Sequence, residues 1–377
     1  MNPESTSSQN RYEMKAQSRT KFRNGFSIIE LVAVLVMTVS VTAVLGPAMG
    51  RMRAQMRGVT SEGNLATIGQ ISAMYGLDND DRIFTFTWRG GEEYPDLKSG
   101  KLKVYSDDQQ AASGQVRNIL HRATGRITGR YALSTPLSRL MHRRYSHLVL
   151  ADYMGGNVSD PMWADPADAN QLYWQLNPLE YSDDDPNTLP YGNGMPDEAG
   201  YDDDTNWQQI SIQMLWPFAS SYQVVPHAWM QDFGSQYIPI EDTPHLFRIM
   251  GADPIPLGER RFYEVRFPSA KVHMFEEFDR EQAGSPYFAY DHAQSAKLMF
   301  DGSINTAMSG LSQTSVSPDD YLNGNKIIWE QKYVPLDTFP IPLAGLGDQT
   351  LLNQRFRWTL GGLQGVNYPQ TLMPSGR

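Results

Sequence analysis

One apolar run close to the N-terminus constrains the fold of this chain more than any other feature. Residues 26–49 contain a single charged side chain, the carboxylate of Glu30. At about 1.5 Å per residue, a helix of this length crosses a hydrocarbon core of roughly 30 Å. We therefore predict that residues 26–49 form the membrane-spanning half of a long N-terminal helix.

The residues that precede this run orient it in the membrane. Residues 1–25 carry five basic and two acidic side chains, a net charge of +3. The positive-inside rule places such a leader in the cytoplasm and the rest of the chain outside it. A secretory signal peptide has its small-residue cleavage site after the apolar core, whereas here the small residue, Gly25, precedes it. Cleavage at Gly25 would leave the helix on the mature protein.

The segment Gly25-Phe26-Ser27-Ile28-Ile29-Glu30-Leu31 resembles the motif of type IV prepilins and type II secretion pseudopilins. The resemblance covers residues 20 to about 75. It implies that a prepilin peptidase removes residues 1–25 by cutting after Gly25 and methylates the new N-terminal residue, Phe26. It also implies that Glu30 pairs with the N-terminus of a neighbouring subunit, and that Pro47 occupies a position where many of these helices carry a proline.

The same resemblance implies a cellular location and a set of partner proteins. Its helix would lie in the inner membrane as a single span, together with membrane lipid, and its head would be periplasmic, in a filament or at the cell surface. The partners would be the prepilin peptidase, other pilin or pseudopilin subunits, an inner-membrane platform protein and an assembly ATPase. Cofactors are not required for such an assembly.

Physical arguments also single out Glu30 and Pro47. A lone carboxylate within a membrane helix is costly unless it is paired, and the amino group freed at Phe26 is a suitable partner. The alternative is an ordinary signal anchor whose Glu30 reaches the headgroup region. Pro47 removes one backbone hydrogen bond, so we expect a kink or local opening of the helix there.

Helical patterning continues beyond the membrane span. Apolar residues recur at three- and four-residue spacings over residues 50–78, and Asp78-Asn79-Asp80-Asp81 then predicts the end of the helix. The stripe comprises Met49, Met52, Met56, Val59, Leu65, Ile68, Ile71 and Tyr75. We expect this amphipathic half to pack on a globular head of residues 79–377. The predicted fold class is α+β, a pilin-like long helix packed on an antiparallel sheet with long loop insertions.

Composition limits the function of the head. After removal of residues 1–25, 27 basic and 40 acidic residues remain, which disfavours general nucleic-acid binding. The chain has no cysteine, which excludes disulfides, thiolate metal sites and cysteine nucleophiles.

The first part of the head combines a β-like run with a basic segment. Residues 83–88 predict a strand, followed by irregular or helical structure. Residues 109–151 contain no acidic side chain, and Arg122, Arg126 and Arg130 would share one helix face if Gly125 and Gly129 did not weaken that helix. This segment is interpreted either as a solvated face or subunit contact, or as an anion- or DNA-binding patch.

An acidic loop covers residues 182–206, which hold eight acidic and no basic side chains. Oxygen ligands at short spacing suit calcium, although the spacing departs from that of an EF-hand loop. The ligands would be Asp183, Asp185, Asn187, Asn193 and Asp197. A plain acidic surface loop is the alternative interpretation.

The C-terminal part predicts a β-meander over about residues 262–308. Residues 270–275 and 296–300 have strand patterns, and Asp301-Gly302 predicts a tight turn before Ile304. This part resembles the C-terminal signature of large pseudopilin-like proteins abundant in planctomycetes, in which a histidine, a spacer, a strand and Asp-Gly recur. Here eight residues separate His292 from Asp301, one fewer than usual in that signature. We expect His292 to stabilise a turn.

The sequence as a whole predicts a structural subunit, a pseudopilin or minor-pilin-like protein, of a type II secretion pseudopilus or type IV filament. A membrane-tethered receptor for polysaccharide or another ligand is the alternative, because the aromatic-rich residues 173–229 offer rings that stack on sugars if they are exposed. Nucleophile elbows, phosphate loops and paired histidines are absent from the sequence, so we do not expect an enzyme. A tethered hydrolase would need clustered carboxylates in a cleft.

Overall fold

The computed structural model of the chain describes residues 27–125, 145–177, 220–228, 240–243, 246–249, 260–281, 286–315, 330–333, 350–357 and 359–369. The predicted cleavage position, Gly25 and Phe26, and the acidic loop of residues 182–206 lie outside these ranges. The chain divides into two compact units, Met1–Met52 and Arg53–Arg377.

The described residues form a mixed α and β structure, which confirms the α+β class at this level. The helices are α1 (Ile28–Asp78), α2 (Asp108–Thr124) and α3 (Ala169–Leu176). The strands are β1 (Glu93–Asp96), β2 (Lys101–Val104), β3 (Tyr222–Val224), β4 (Ile240–Thr243), β5 (Leu246–Ile249), β6 (Val272–Glu276), β7 (Lys297–Met299), β8 (Ile304–Asn305), β9 (Glu330–Tyr333) and β10 (Thr350–Asn353). All their pairings are antiparallel.

A four-stranded antiparallel sheet with the order β3-β6-β7-β8 organises the second unit. Tyr222 on β3 lies opposite Glu276 on β6, and every residue of β6 is buried. The strands β7 and β8 are joined through Asp301 and Gly302, and Gly302 has a φ of +85°, which favours glycine. The predicted meander is therefore confirmed for β6, β7 and β8, and β3 extends it on the other side.

The C-terminal part of α1, residues 53–78, packs on one face of this sheet. Leu65 and Ile68 are fully buried. A Cβ atom placed on Gly69 would lie 2.9 Å from Cδ1 of Leu298 on β7, so the helix approaches the sheet as closely as a glycine permits. The opposite face of the sheet packs on aromatic rings, since the Phe275 ring lies 4.7 Å from that of Phe288.

The predicted apolar stripe of α1 is only partly covered. Its first members, Met49, Met52, Met56 and Val59, are 52–70% exposed, and burial begins at Ser61. The expectation that the whole stripe packs on the head was wrong. Among the described residues, the buried positions of α1 run from Ser61 to Gly76.

The end of α1 follows the predicted stop signal. Asp80 and Asp81 adopt left-handed backbone conformations, with φ values of 53° and 63°, which turn the chain away from the helix axis. The side chain of Asp81 then accepts a hydrogen bond of 2.9 Å from the Tyr263 amide. Two stretches that are distant in sequence are thereby joined at the end of the helix.

The predicted strand at residues 83–88 is not present as a strand. Ile83, Phe84 and Phe86 are fully buried, but this run pairs with no neighbouring strand among the described residues. Two backbone amides that would bond to a neighbouring strand bond to a side chain instead. Oε1 of Gln115 on α2 accepts hydrogen bonds from the amides of Thr87 and Trp88. The apolar pattern of residues 83–88 therefore reflects their burial in the core and does not indicate pairing in a sheet.

The close contact between α1 and β7 predicts a position-specific effect of substitution. Gly69→Val should lower the free energy of unfolding by about 1–3 kcal/mol, because the larger side chain collides with the buried Leu298. Gly63→Val is the matched control, since no described residue outside the adjoining helix backbone lies within 4 Å of a Cβ placed at Gly63. Urea unfolding of the full-length protein in detergent measures both, and equal effects would contradict this packing.

The buried His273 predicts a dependence of stability on pH. Its ring stacks on Phe300 at 4.4 Å, and burial lowers its pKa to about 3. The unfolded chain binds a proton below pH 6.5 while the folded chain does not, so stability falls with decreasing pH in the window from 6.5 to 3.

Replacing this histidine by His273→Phe should remove the corresponding part of the acid sensitivity, about 2 kcal/mol at pH 5 relative to pH 7.5. His292→Gln is the control, because His292 is an exposed histidine whereas His273 is buried. Thermal unfolding between pH 4 and 8 measures the difference. Parallel pH profiles for wild type and His273→Phe would refute it.

Candidate functional site

The N-terminal end of α1 is fixed by a reciprocal pair of hydrogen bonds. The Ser27 amide donates to Oε2 of Glu30 at 2.8 Å, and the Glu30 amide donates to Oγ of Ser27 at 3.2 Å. This is a capping box, which satisfies two amides that otherwise lack a partner at a helix start. The Ser-x-x-Glu spacing that encodes it is present in the sequence, and the sequence analysis overlooked it.

The capping box leaves part of Glu30 available. Only Oε2 accepts a hydrogen bond from the described residues, and the carboxylate as a whole is exposed. A positive group that approaches this helix end would therefore meet an accessible, negatively charged oxygen, Oε1, whose carboxylate is already oriented by Ser27. Ion pairing is the chemistry that this arrangement can perform.

The helix that follows Glu30 has an uncovered apolar surface in the first unit. Leu31, Leu35 and Met37 are 61%, 62% and 67% exposed. Among the described residues, α1 is the helix that is long and apolar enough to span a membrane, and none of its most apolar 18-residue window is buried. Such a surface is unfavourable in water and favourable in a hydrocarbon environment.

Pro47 lies inside α1, and the helix is continuous on both sides of it. Side-chain hydroxyls support the helix before this point, since Oγ1 of Thr38 and Thr42 donate to the carbonyls of Val34 and Thr38 at 2.8 and 2.7 Å. The kink at Pro47 stays a prediction.

The remaining predicted site residues fall into two groups. Gly25, Phe26 and the calcium ligands predicted in the acidic loop, which are Asp183, Asp185, Asn187, Asn193 and Asp197, lie outside the described residues. Asp301 and Gly302 form the β7–β8 turn, where Oδ1 of Asp301 accepts a hydrogen bond of 2.9 Å from the Ser303 amide. His292 is exposed in a separate turn, with its ring 5.6 Å from that of Tyr290. Its stabilising role stays a prediction.

The basic and aromatic segments are described only in part. Helix α2 ends at Thr124, where Gly125 adopts a φ of 67°, so Arg122 lies in the last turn of the helix. Arg126 and Arg130 lie outside the described residues. Tyr222, from the aromatic-rich stretch, is buried and forms part of the central sheet.

Sequence reasoning missed a group of three carboxylates in the second unit. Asp165, Glu276 and Glu281 each present an oxygen, and these oxygens all lie within 4.8 Å of one another. Asp165 and Glu276 are separated by more than one hundred residues in the chain, and no local motif connects them. Their proximity could be found only from the folded chain.

Comparison of the chain with protein-family models, with curated proteins and with solved structures finds no match.

Proposed function

We propose that this protein is a pilin-like structural subunit, anchored by α1 in the inner membrane and assembled into a type II secretion pseudopilus or a related filament. One observation carries the proposal: a single continuous helix begins with an oriented glutamate, continues with an uncovered apolar surface and ends packed on a sheet. The processing motif at Gly25 and Phe26 adds to it.

The role of α1 follows from its exposed side chains. An apolar helix segment that the described residues leave uncovered would be stabilised by lipid before assembly and by the same helices of other subunits after it. The exposed Met52, Met56 and Val59 extend this apolar surface beyond the predicted membrane span. They would contact neighbouring subunits, because water is the only alternative environment for them outside the membrane.

The role of Glu30 follows from its charge. Removal of residues 1–25 would create a positively charged amino group at Phe26, four residues before Glu30. In the protein as described, Ser27 already satisfies Oε2 of Glu30, which leaves Oε1 for the amino group of another subunit. Such a pair in an apolar filament core is strong because the local dielectric constant is low, and it would set the axial position of each incoming subunit.

The first experiment tests processing. N-terminal mass spectrometry of the protein from native membranes should find a methylated Phe26 as the first residue, and Gly25→Ala should retain the leader. An unprocessed wild-type chain would contradict the proposal. It would favour the tethered ligand-binding protein, which needs only an uncut anchor.

A second experiment separates the charge of Glu30 from its capping role. Glu30→Gln keeps an acceptor for the Ser27 amide but removes the charge, whereas Ser27→Ala weakens the cap, at a cost of about 0.5–2 kcal/mol, and keeps the charge. We expect Glu30→Gln to be processed normally yet to be at least tenfold depleted from sheared filaments, as on the order of 1.4 kcal/mol of lost pairing suffices for that change. Ser27→Ala should assemble.

Equal incorporation of Glu30→Gln and wild type would refute ion pairing at this site. Loss of assembly in Ser27→Ala with normal assembly of Glu30→Gln would assign the defect to the helix start instead of to the charge. Both variants should show the wild-type melting temperature of the head, because neither residue lies in the second unit.

A further inference from the structure

Three carboxylates converge where the sheet, a loop and α1 meet in the second unit. Glu276 is the last residue of β6, Glu281 lies five residues later, and Asp165 follows the short 3₁₀ turn Pro161–Trp163. Their oxygens lie within 4.8 Å of one another. Like charges at this separation repel strongly in a protein interior unless a positive species lies between them.

The hydrogen bonds of Asp165 leave one of its oxygens unsatisfied. Asp165 is completely buried, and its Oδ1 accepts a hydrogen bond of 2.6 Å from the Ala167 amide. Its Oδ2 is buried and has no hydrogen-bond partner among the described residues, and the same is true of Oε1 of Glu281. Burying a carboxylate oxygen without a hydrogen-bond donor or a cation beside it destabilises the folded protein. The described residues supply no such partner for these two oxygens.

The third carboxylate faces α1. Oε1 of Glu276 accepts a hydrogen bond from Oγ of Ser61, and Oε2 accepts one of 3.2 Å from the Ala296 amide. The hydroxyl of Tyr222 lies 3.0 Å from the same Oγ. Ser61 therefore adds a hydroxyl oxygen beside the three carboxylates, and it does so from the helix.

The two neighbouring basic groups have partners outside the cluster. Arg280 forms a salt bridge of 3.0 Å with another carboxylate, that of Asp168. Nζ of Lys297 donates hydrogen bonds to the carbonyls of Ser295 and Ala307 at 2.6 and 2.9 Å.

We infer that Asp165, Glu276 and Glu281 bind one calcium ion, with Ser61 beside it, and that this ion joins α1 to the sheet. The donors are exclusively oxygen atoms, which suits a hard divalent cation and not zinc or copper. Calcium accepts flexible geometry and six to eight oxygen ligands, so water would complete its shell. Asp165 and Glu276 are buried, so a bulky substrate would not reach them.

A calcium ion at this site would strengthen the packing of α1 on the sheet. The Cγ atom of Glu281 lies 3.3 Å from the Cβ position of Gly58, and Glu276 is bonded to Ser61, so the cluster spans one turn of α1. Without the ion, repulsion among ionised carboxylates would weaken this contact between α1 and the sheet. Calcium binding would therefore stabilise the second unit as a whole.

The test uses the full-length protein purified in detergent and treated with a chelator. Calorimetric titration with calcium chloride should detect one high-affinity site, and tryptophan fluorescence should report a higher melting temperature when calcium is added. Glu281→Gln should weaken calcium binding by at least about tenfold, and so should Asp165→Asn. Glu62→Gln is the matched control, since Glu62 follows Ser61 on α1 and does not belong to the cluster; its calcium affinity should equal that of wild type.

Two outcomes would overturn the assignment. One is the absence of calcium binding to the wild type, which would mean that the carboxylates hold protons instead. The other is binding that survives in Glu281→Gln and Asp165→Asn but is lost in the triple variant Asp183→Asn/Asp185→Asn/Asp197→Asn, which would place the ion in the acidic loop. Glu281 is only partly buried and the substitution keeps its size, so the Glu281→Gln result stands even if Asp165→Asn fails to fold.

Discussion

The packing of α1 against the central sheet is the contact on which the rest of the second unit depends. It brings Leu65 and Ile68 into the core and places Gly69 directly against Leu298. The strands of this sheet are only two to five residues long, which is too short for independent stability in water. The helix supplies the apolar surface that the sheet needs, and the sheet covers the only part of the helix that is fully buried among the described residues.

Features encoded by neighbouring residues were predictable from the sequence. The extent of α1 was predicted from the spacing of apolar residues and from the Asp-Asn-Asp-Asp stop, and the turn at Asp301 and Gly302 from its residue types. Each of these signals acts over a few residues, so no knowledge of the fold was needed. The capping box of Ser27 and Glu30 belongs to the same class, and its spacing would have revealed it.

Features that depend on distant residues were not predictable. Residues 83–88 have the composition of a strand, yet the side chain of Gln115 takes the place of a neighbouring strand. The apolar spacing of α1 is the same in its exposed and its buried part, so the spacing alone could not show where burial begins. The carboxylate cluster combines residues from two distant parts of the chain, Asp165 and residues 276–281, and each of these carboxylates alone is an ordinary acidic residue. These carboxylates become a candidate metal site only because the folded chain brings them together, and no local sequence pattern indicates that they meet.

The order of the elements along the chain has a consequence for the time course of folding. Ser61 and Glu276, which meet at the contact between helix and sheet, are 215 residues apart in sequence. At about 5–20 residues per second, a ribosome needs on the order of 10–40 s to make the intervening chain. During that interval the apolar face of α1 at Leu65 and Ile68 has no sheet to pack on. In a newly made chain this face therefore stays without its packing partner until the C-terminal third has been synthesised.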